Sequence, residues 1–259
     1  MIGVYDSGIG GLSVWKELIA LMPEQSYVYV ADSAHCPYGA KSPDYIIDRA
    51  RAVVRFLISE GAEAVVVACN TATAAAISYL RSHFTIPFVG MEPAVKPAAL
   101  ASKTGVVGVL ATANTFKGSL YRDTVMRYAS GIRIVEEVGW GLVEAVEKGE
   151  VPSELIRQYV TEMTEQGADV IVLGCTHFPF LQEEIARVAG PSVRIINPAP
   201  AVARQTARVA ASHAVSSAAA GAVPVREFFS TADPALLQRA AMAIDPALTP
   251  DHFHHINIQ

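Results

Sequence analysis

Short apolar runs alternate with amphipathic segments along most of the chain. The runs are rich in Val and Ile, which is typical of strands buried on both faces of a parallel sheet. Between them, apolar residues recur at helical spacing, as in the segment 46–57. The alternation predicts an α/β fold with doubly wound, mainly parallel sheets. The predicted strands are 1–5, 26–31, 65–67, 86–90, 106–110, 132–136, 170–173, 193–196 and 225–230.

Helices are predicted where start and stop signals frame the amphipathic segments. Ser42 before Pro43 is typical of an N-cap and a first helical position, and Gly61 is typical of a helix end. The Ala- and Ser-rich segment 212–221 interrupts the rhythm and is predicted to be a loose connection. Four of the main predicted helices span 43–60, 73–84, 139–149 and 153–166. Two others are predicted to end near residues 21 and 211.

Two of the predicted strands end in the same pattern. Each apolar run leads through a small residue to a cysteine, Cys69 or Cys175, with a threonine within two residues. In open α/β sheets, ligands bind just outside the carboxyl ends of the strands. Two matched cysteines at two matched strand ends therefore indicate a site built from two similar halves, with one sulfur from each.

Several kinds of chemistry use cysteine thiols, and the residues around these two distinguish between them. A disulfide would need no polar neighbours, and a zinc site would need more ligands, whereas no CxxC pair is present. A cysteine hydrolase would need one thiol and one histidine. A proton transfer by two bases uses both thiols: one thiolate removes a proton from a carbon, and the opposite thiol returns one to the other face. The alternative for each cysteine is that it only fills the core.

Further polar residues follow the same strand ends. Asp6 and Ser7 end the first predicted strand, where a carboxylate can accept a proton or hold a substrate ammonium group. His177, two residues beyond Cys175, is suited to tuning the proton of that thiol, although the backbone near a helix start could also satisfy it. Neutral donors and close backbone approach suit substrate carboxylates, and the candidates are Tyr38, Gly39, Asn70, Thr71, Thr112, Thr115 and Thr176.

Three other features have competing interpretations. Gly8 and Gly10, with Asp32 at the end of the next strand, partly mimic a dinucleotide-binding fingerprint, but Ser13 replaces the third glycine. Cys36 has no matching partner and is interpreted as incidental. Three histidines near the end of the chain resemble a metal cluster by composition, but we expect disorder there; they are His252, His254 and His255.

Composition limits the function classes. The chain has 259 residues, of which 51% are hydrophobic, and a formal charge of −5, which argues against a nucleic-acid partner. No apolar run reaches the roughly 18 residues that a membrane helix needs. The first residues show no signal peptide, and three cysteines indicate reduced thiols, so we expect a cytoplasmic protein.

Four motifs in order together resemble the glutamate racemases of the aspartate/glutamate racemase family. The motifs are 6–14, 37–39, 68–72 and 174–179. The resemblance implies two pseudo-symmetric α/β domains facing each other across a cleft. The first would comprise 1–95 and 207–259 and carry Cys69, and the second would comprise 96–206 and carry Cys175.

The resemblance also implies the activity: interconversion of L- and D-glutamate without a cofactor or a metal, supplying D-glutamate for peptidoglycan. Cys69 would act on the D-enantiomer with Asp6, and Cys175 on the L-enantiomer with His177. Glu144 would be a further acidic residue near the second cysteine, a role for which Glu147 could be mistaken. A racemase of aspartate or a related amino acid, and a glutamate-binding protein without catalysis, stay open as alternatives. A homodimer also stays open.

Overall fold

The computed structural model describes residues 1–92, 94–218 and 222–258. Within these residues, no helix is both long and apolar enough to cross a membrane. The strands are β1 (Ile2–Asp6), β2 (Tyr27–Ala31), β3 (Ala64–Val67), β4 (Phe88–Gly90), β5 (Val106–Ala111), β6 (Arg133–Val138), β7 (Val170–Gly174), β8 (Arg194–Ile196), β9 (Arg226–Ser230) and β10 (Phe253–His255). The α-helices are α1 (Leu12–Leu21), α2 (Pro43–Ser59), α3 (Asn70–His83), α4 (Val95–Ala101), α5 (Ala113–Lys117), α6 (Ser119–Tyr128), α7 (Leu142–Val146), α8 (Ser153–Glu165), α9 (Gln182–Ala189), α10 (Ala199–Ser212) and α11 (Ala235–Ile244).

The first compact unit comprises Met1–Met91 and Ala199–Gln259. Its sheet has the order β10-β9-β2-β1-β3-β4, and every pairing is parallel. The central strands β1, β2 and β3 are buried along their whole length, as expected for a sheet covered on both faces. Helix α10 packs against α1, so the predicted division at residue 206 falls inside a helix that belongs to this unit.

The second compact unit comprises Glu92–Pro198. Its sheet has the order β6-β5-β7-β8, again with parallel pairings throughout. This order matches β2-β1-β3-β4 of the first unit, strand for strand. Cys69 follows β3 and Cys175 follows β7, so the two cysteines occupy equivalent positions in two equivalent topologies. The predicted fold class, two pseudo-symmetric α/β halves with parallel sheets, is confirmed in these respects.

Residues 250–255 form a 3₁₀ turn and a strand, and the prediction of disorder at His252, His254 and His255 is wrong. Strand β10 pairs in parallel with β9 and forms the edge of the sheet. Phe253 stacks on Phe228 with ring centroids 4.9 Å apart, and His254 Nε2 lies 2.7 Å from a carboxylate oxygen of Glu227. The aromatic contact and the hydrogen bonds of an open sheet edge order this segment, and neither is visible in the composition near a terminus.

Two predicted helix bounds also change. Helix α3 begins at Asn70 rather than at residue 73, because Cys69 itself is the N-cap. The predicted helix 139–149 shortens to α7, because Gly141 just before it has a φ of 79° and lies in the left-handed region.

The segment after α10 carries no helix or strand up to residue 218, as predicted, but it is tied to the first unit. Ser216 is the anchor. Its carbonyl accepts hydrogen bonds from Gln25 Nε2 at 2.8 Å and from the Met1 ammonium group at 3.1 Å. Its N–H donates to Glu63 Oε2 at 2.6 Å. Residues 219–221 of the predicted connection lie outside the described residues.

The second unit has a carboxylate clamp at the amino-terminal edge of its sheet. Asp169 precedes β7 and accepts hydrogen bonds from Ser102 Oγ at 2.6 Å and from the N–H groups of Lys103 and Thr104 at 2.6 and 3.1 Å. Burial works to raise the pKa of Asp169, but these hydrogen bonds outweigh it and lower the pKa to about 2. The ionised carboxylate therefore holds the turn before β5 against β7.

We expect Asp169→Asn to lower the free energy of unfolding by about 1 kcal/mol near neutral pH, since it weakens several hydrogen bonds to a partly solvated charge. Because the folded pKa is lower than the ordinary value of about 4, the stabilisation is present above that pH and is lost as the pH falls toward about 2. Denaturant unfolding at a series of pH values measures this difference. Asp123→Asn, at an exposed position of α6, is the control and should change nothing. An equal effect of both substitutions would contradict the role of the clamp.

Candidate active site

The parallel pairing of three strands gathers polar residues at one edge of the first sheet. Asp32 N donates to Asp6 O at 2.9 Å, and Ala68 N donates to Tyr5 O at 2.7 Å, so the ladder continues past the ends of β1, β2 and β3. Asp6, Asp32 and Cys69 consequently end neighbouring strands. This is the edge at which open α/β sheets bind ligands.

Cys69 lies between the end of β3 and the start of α3. Its Sγ accepts a hydrogen bond from Ala72 N at 3.4 Å and lies 3.7 Å from Ser7 Oγ. The positive end of a helix dipole favours an anion at this position, and a thiolate is the reactive form of cysteine. The sulfur is buried but lies within a polar setting, which favours a chemical role over simple core filling.

The glycine-rich loop after β1 wraps around Asp6. Gly8 N donates to Asp6 Oδ1 at 2.7 Å, and Tyr29 Oη donates to the Gly8 carbonyl at 2.8 Å. A Cβ on Gly11 would lie 2.7 Å from Asp6 Cβ and 2.8 Å from Tyr29 Oη, so only glycine fits there. The glycines thus serve to enclose a buried carboxylate, which is the opposite of what a phosphate-binding loop needs.

Asn70 is the least satisfied polar side chain at this edge. It is 4% exposed, and neither its amide nitrogen nor its amide oxygen has a hydrogen-bond partner among the described residues. A buried amide without partners is costly. Such a group beside Cys69 and the buried Thr71 is therefore a strong candidate for contact with a polar substrate.

Tyr38 and Gly39 lie in a 3₁₀ turn, Tyr38–Ala40, that packs against α3. The Tyr38 hydroxyl donates to Asp32 Oδ2 at 2.5 Å and accepts from the Tyr5 hydroxyl at 2.8 Å. Burial first, and the nearby Asp32 carboxylate as well, raise the pKa of both tyrosines well above the usual value, so both hydroxyls stay protonated. Asp32 is thus already engaged, and it is not available for the ribose contact that the dinucleotide interpretation requires.

The second unit repeats the arrangement after β7, with a different supporting residue. Cys175 Sγ lies 3.8 Å from His177 Nδ1, and His177 Nε2 lies 2.5 Å from Glu147 Oε1. Gly174 allows the close approach of β5 here, because a Cβ would lie 2.7 Å from Ala111 Cβ. A thiol, an imidazole and a carboxylate thus lie in sequence, and the carboxylate fixes the orientation of the ring.

The threonines of the second unit lie at the same strand ends. Thr112 follows β5, which neighbours β7 in the sheet, and its hydroxyl lies 3.0 Å from the hydroxyl of Thr115. Thr176 is buried between Cys175 and His177. The role of these hydroxyls as substrate contacts stays a prediction.

Glu144 is the one predicted site residue that the structure places elsewhere. It is exposed on α7, whereas Glu147, just past the end of that helix, reaches His177. Because Leu142, Val143, Ala145 and Val146 bury the inner face of α7, position 144 points away from it. The acidic partner of His177 is therefore corrected from Glu144 to Glu147.

Comparison with known proteins identifies the family. A family model described as Asp/Glu/Hydantoin racemase matches residues 13–206. A glutamate racemase from Methylococcus capsulatus is 52% identical over 211 residues, which cover 80% of this chain and 78% of that protein. This chain therefore belongs to the Asp/Glu/Hydantoin racemase family. The resemblance seen in the four sequence motifs is confirmed, and so is the assignment of the chain to the racemases, a class of isomerase.

Solved structures of glutamate racemases match along the full length of this chain. The glutamate racemase of Escherichia coli, in complex with L-glutamate and the activator UDP-MurNAc-ala, matches with a TM-score of 0.88 at 32% identity over 100% of this chain and 98% of that one. The glutamate racemase of Francisella tularensis, in complex with D-glutamate, matches with a TM-score of 0.84 at 26% identity over 100% and 97%.

Glu147 generates a test that needs no enzymatic assay. If Glu147 orients the His177 ring toward the Cys175 sulfur, Glu147→Gln should slow the alkylation of Cys175 by iodoacetamide at a fixed pH, because the thiol loses a positioned base that can take up its proton. Digestion and mass spectrometry separate the Cys175 peptide from the Cys69 peptide, so the rate at Cys69 is an internal reference. Glu144→Gln is the matched control on the same helix and should leave both rates unchanged. If Glu144→Gln slowed Cys175 as much as Glu147→Gln, the assignment of Glu147 would fail.

Proposed function

We propose that this racemase interconverts L- and D-glutamate. Family membership restricts the reaction class, and the relatives named above are glutamate racemases, with L-glutamate in one solved structure and D-glutamate in the other. The observation that carries the proposal is the equivalent placement of Cys69 and Cys175, each after the third strand of a unit whose first four strands have the same order in the sheet.

The proposed mechanism is a two-base proton transfer at the α-carbon. A thiolate from one half removes the α-proton, and the electron pair of the broken C–H bond stays on the carbon as a carbanion. The thiol of the other half then donates its proton to the opposite face, which inverts the stereocentre. Each turnover exchanges the thiolate and thiol roles, so the protons balance and no oxidant, metal or cofactor is needed. The mechanism requires both sulfurs to reach one substrate carbon.

The surrounding residues have proposed roles that follow from their contacts. Asp6 and Ser7 support Cys69, which acts on the D-enantiomer, and the unpartnered amide of Asn70 binds the substrate. His177, held by Glu147, supports Cys175, which acts on the L-enantiomer. Other proposed contacts to the substrate carboxylates are Tyr38, Gly39, Thr71, Thr112, Thr115 and Thr176.

The proposed biological role is the supply of D-glutamate for peptidoglycan in the cytoplasm. Racemisation of aspartate or a related amino acid is the second candidate, because the same strand-end chemistry would serve it. Comparison of turnover on glutamate and aspartate separates the two. Association as a homodimer stays a prediction.

The decisive experiment combines chirality and isotope exchange. Purified protein with L-glutamate in deuterium oxide, without added cofactor, should drive the substrate toward an equal mixture of enantiomers, with deuterium at the α-carbon of the D-glutamate formed. Cys69→Ser and Cys175→Ser should each lower turnover by at least about 100-fold, because each removes an acid–base group. Chiral chromatography and proton NMR measure the two quantities.

An exposed hydroxyl on α3 provides the control. Ser82→Ala should retain turnover, since Ser82 lies at the opposite end of the helix that Cys69 caps. Folded wild-type protein that binds glutamate without inversion or exchange would support a binding protein instead and would refute the proposed activity.

A further inference from the structure

Asp32 is a buried carboxylate whose hydrogen-bonding capacity is fully used. The side chain is 0% exposed. Arg49 donates to it twice, from Nη2 to Oδ1 at 2.8 Å and from Nε to Oδ2 at 3.0 Å. Thr231 Oγ1 donates to Oδ1 at 3.1 Å, and the Tyr38 hydroxyl donates to Oδ2 at 2.5 Å. A carboxylate accepts about four hydrogen bonds, so Asp32 has no capacity left for a substrate ammonium group or a migrating proton.

Arg49 supplies the positive charge of this cluster from a helix face that is otherwise apolar. It lies on the apolar face of α2, between Ile46 and Val53, and it is only 9% exposed. The hydrogen bond to Asp32 is the main cause that raises the pKa of the guanidinium further, so Arg49 stays charged. A planar guanidinium matches a carboxylate with two parallel bonds, which an ammonium group cannot do.

The guanidinium has a third contact that extends the cluster. Arg49 Nη1 donates to the carbonyl of Ile258 at 2.8 Å. Ile256, two residues earlier, donates its N–H to Ser230 O at 2.9 Å, and both isoleucines pack against the core cluster that contains Tyr38 and Cys69. One side chain thus connects α2, the end of β2 and the segment after β10.

Tyr38 links this cluster to the candidate active site. Its single hydroxyl proton is used by Asp32, and its oxygen accepts the proton of Tyr5. The hydroxyl therefore holds the residue in place, and what the turn 38–40 offers a substrate is its position and its backbone. The position of this turn therefore depends on how firmly the Asp32 carboxylate is held.

We propose that Arg49 and Asp32 are positioning residues that fix the turn 38–40 and thereby set substrate affinity, without taking part in proton transfer. The inference rests on the proposed function, because the turn matters only if it contacts the substrate. A contact kept in both the ground state and the transition state changes KM and leaves kcat nearly unchanged. A loss of folded protein would instead lower the apparent kcat at constant KM.

The test uses two substitutions that weaken the same carboxylate cluster from different sides. Arg49→Lys keeps the charge but loses the paired geometry, and Tyr38→Phe removes one hydroxyl group. Each should raise the KM for glutamate about tenfold, the effect of losing about one charge-assisted hydrogen bond, with kcat within a factor of a few. The double variant should raise KM by less than the product of the two, because both act through Asp32.

Arg51→Lys is the matched control. Arg51 lies on the same helix and forms a solvent-accessible ion pair with Asp48 at 3.1 Å, so the KM of the variant should equal that of the wild type. Unchanged KM in Arg49→Lys and Tyr38→Phe, or the same change in Arg51→Lys, would overturn the proposal. If Arg49→Lys does not fold, Tyr38→Phe decides.

Failure of the proposed function would be recognised separately. A wild-type protein that does not racemise glutamate refutes the activity in the same assay. The dissociation constant of glutamate, measured by calorimetry, still tests the positioning role, because Arg49→Lys should weaken binding about tenfold and Arg51→Lys should not.

Discussion

The parallel pairing of β1 with both of its neighbours is the constraint on which the rest of the first unit depends. The ladder continues to the last residue of each strand, so the side chains that follow end at one edge in a fixed order. A shift of one residue in a strand would turn every side chain to the other face of the sheet. Asp6 and Cys69 keep their place because the strands behind them, buried on both sides, permit no such shift.

Buried polar residues at this edge differ in whether protein groups already fill their hydrogen-bonding capacity. Residues that are filled support their neighbours, and residues that are not are available to a substrate. Asp32 and Asn70 lie at the same edge, and both are almost fully buried. Asp32 accepts its full set of hydrogen bonds from Arg49, Tyr38 and Thr231, so its carboxylate serves to hold these residues in place. Asn70 has neither an acceptor nor a donor among the described residues, so the energetic cost of its burial calls for a ligand. Their positions in the sequence alone do not show which of the two residues is a support and which is a substrate contact.

Local patterns predicted nine of the strands and the position of each cysteine after its strand, because those features depend on short stretches of chain. The β-branched runs and the small residue before each cysteine are properties of neighbouring positions. The missed features depend on distant partners. β10 is ordered by Phe228 and by an open sheet edge, and Arg49 is recognisable only as a charge on an apolar helix face once Asp32 is known to lie beside it. The choice between Glu144 and Glu147 depends on where α7 ends, which differs from the predicted bound.

The two halves are equivalent in topology and different in chemistry. Cys69 caps a helix of fourteen residues, and the hydroxyl group of Ser7 lies nearby, so its closest contacts are backbone and hydroxyl groups. Cys175 precedes only a short 3₁₀ turn, Phe178–Leu181, and its support is an imidazole held by a carboxylate. An imidazole changes charge near neutral pH, whereas a helix terminus does not. Duplicated strand order therefore accounts for where the two sulfurs lie in their sheets, but the groups around each sulfur determine how each one would hold and release a proton.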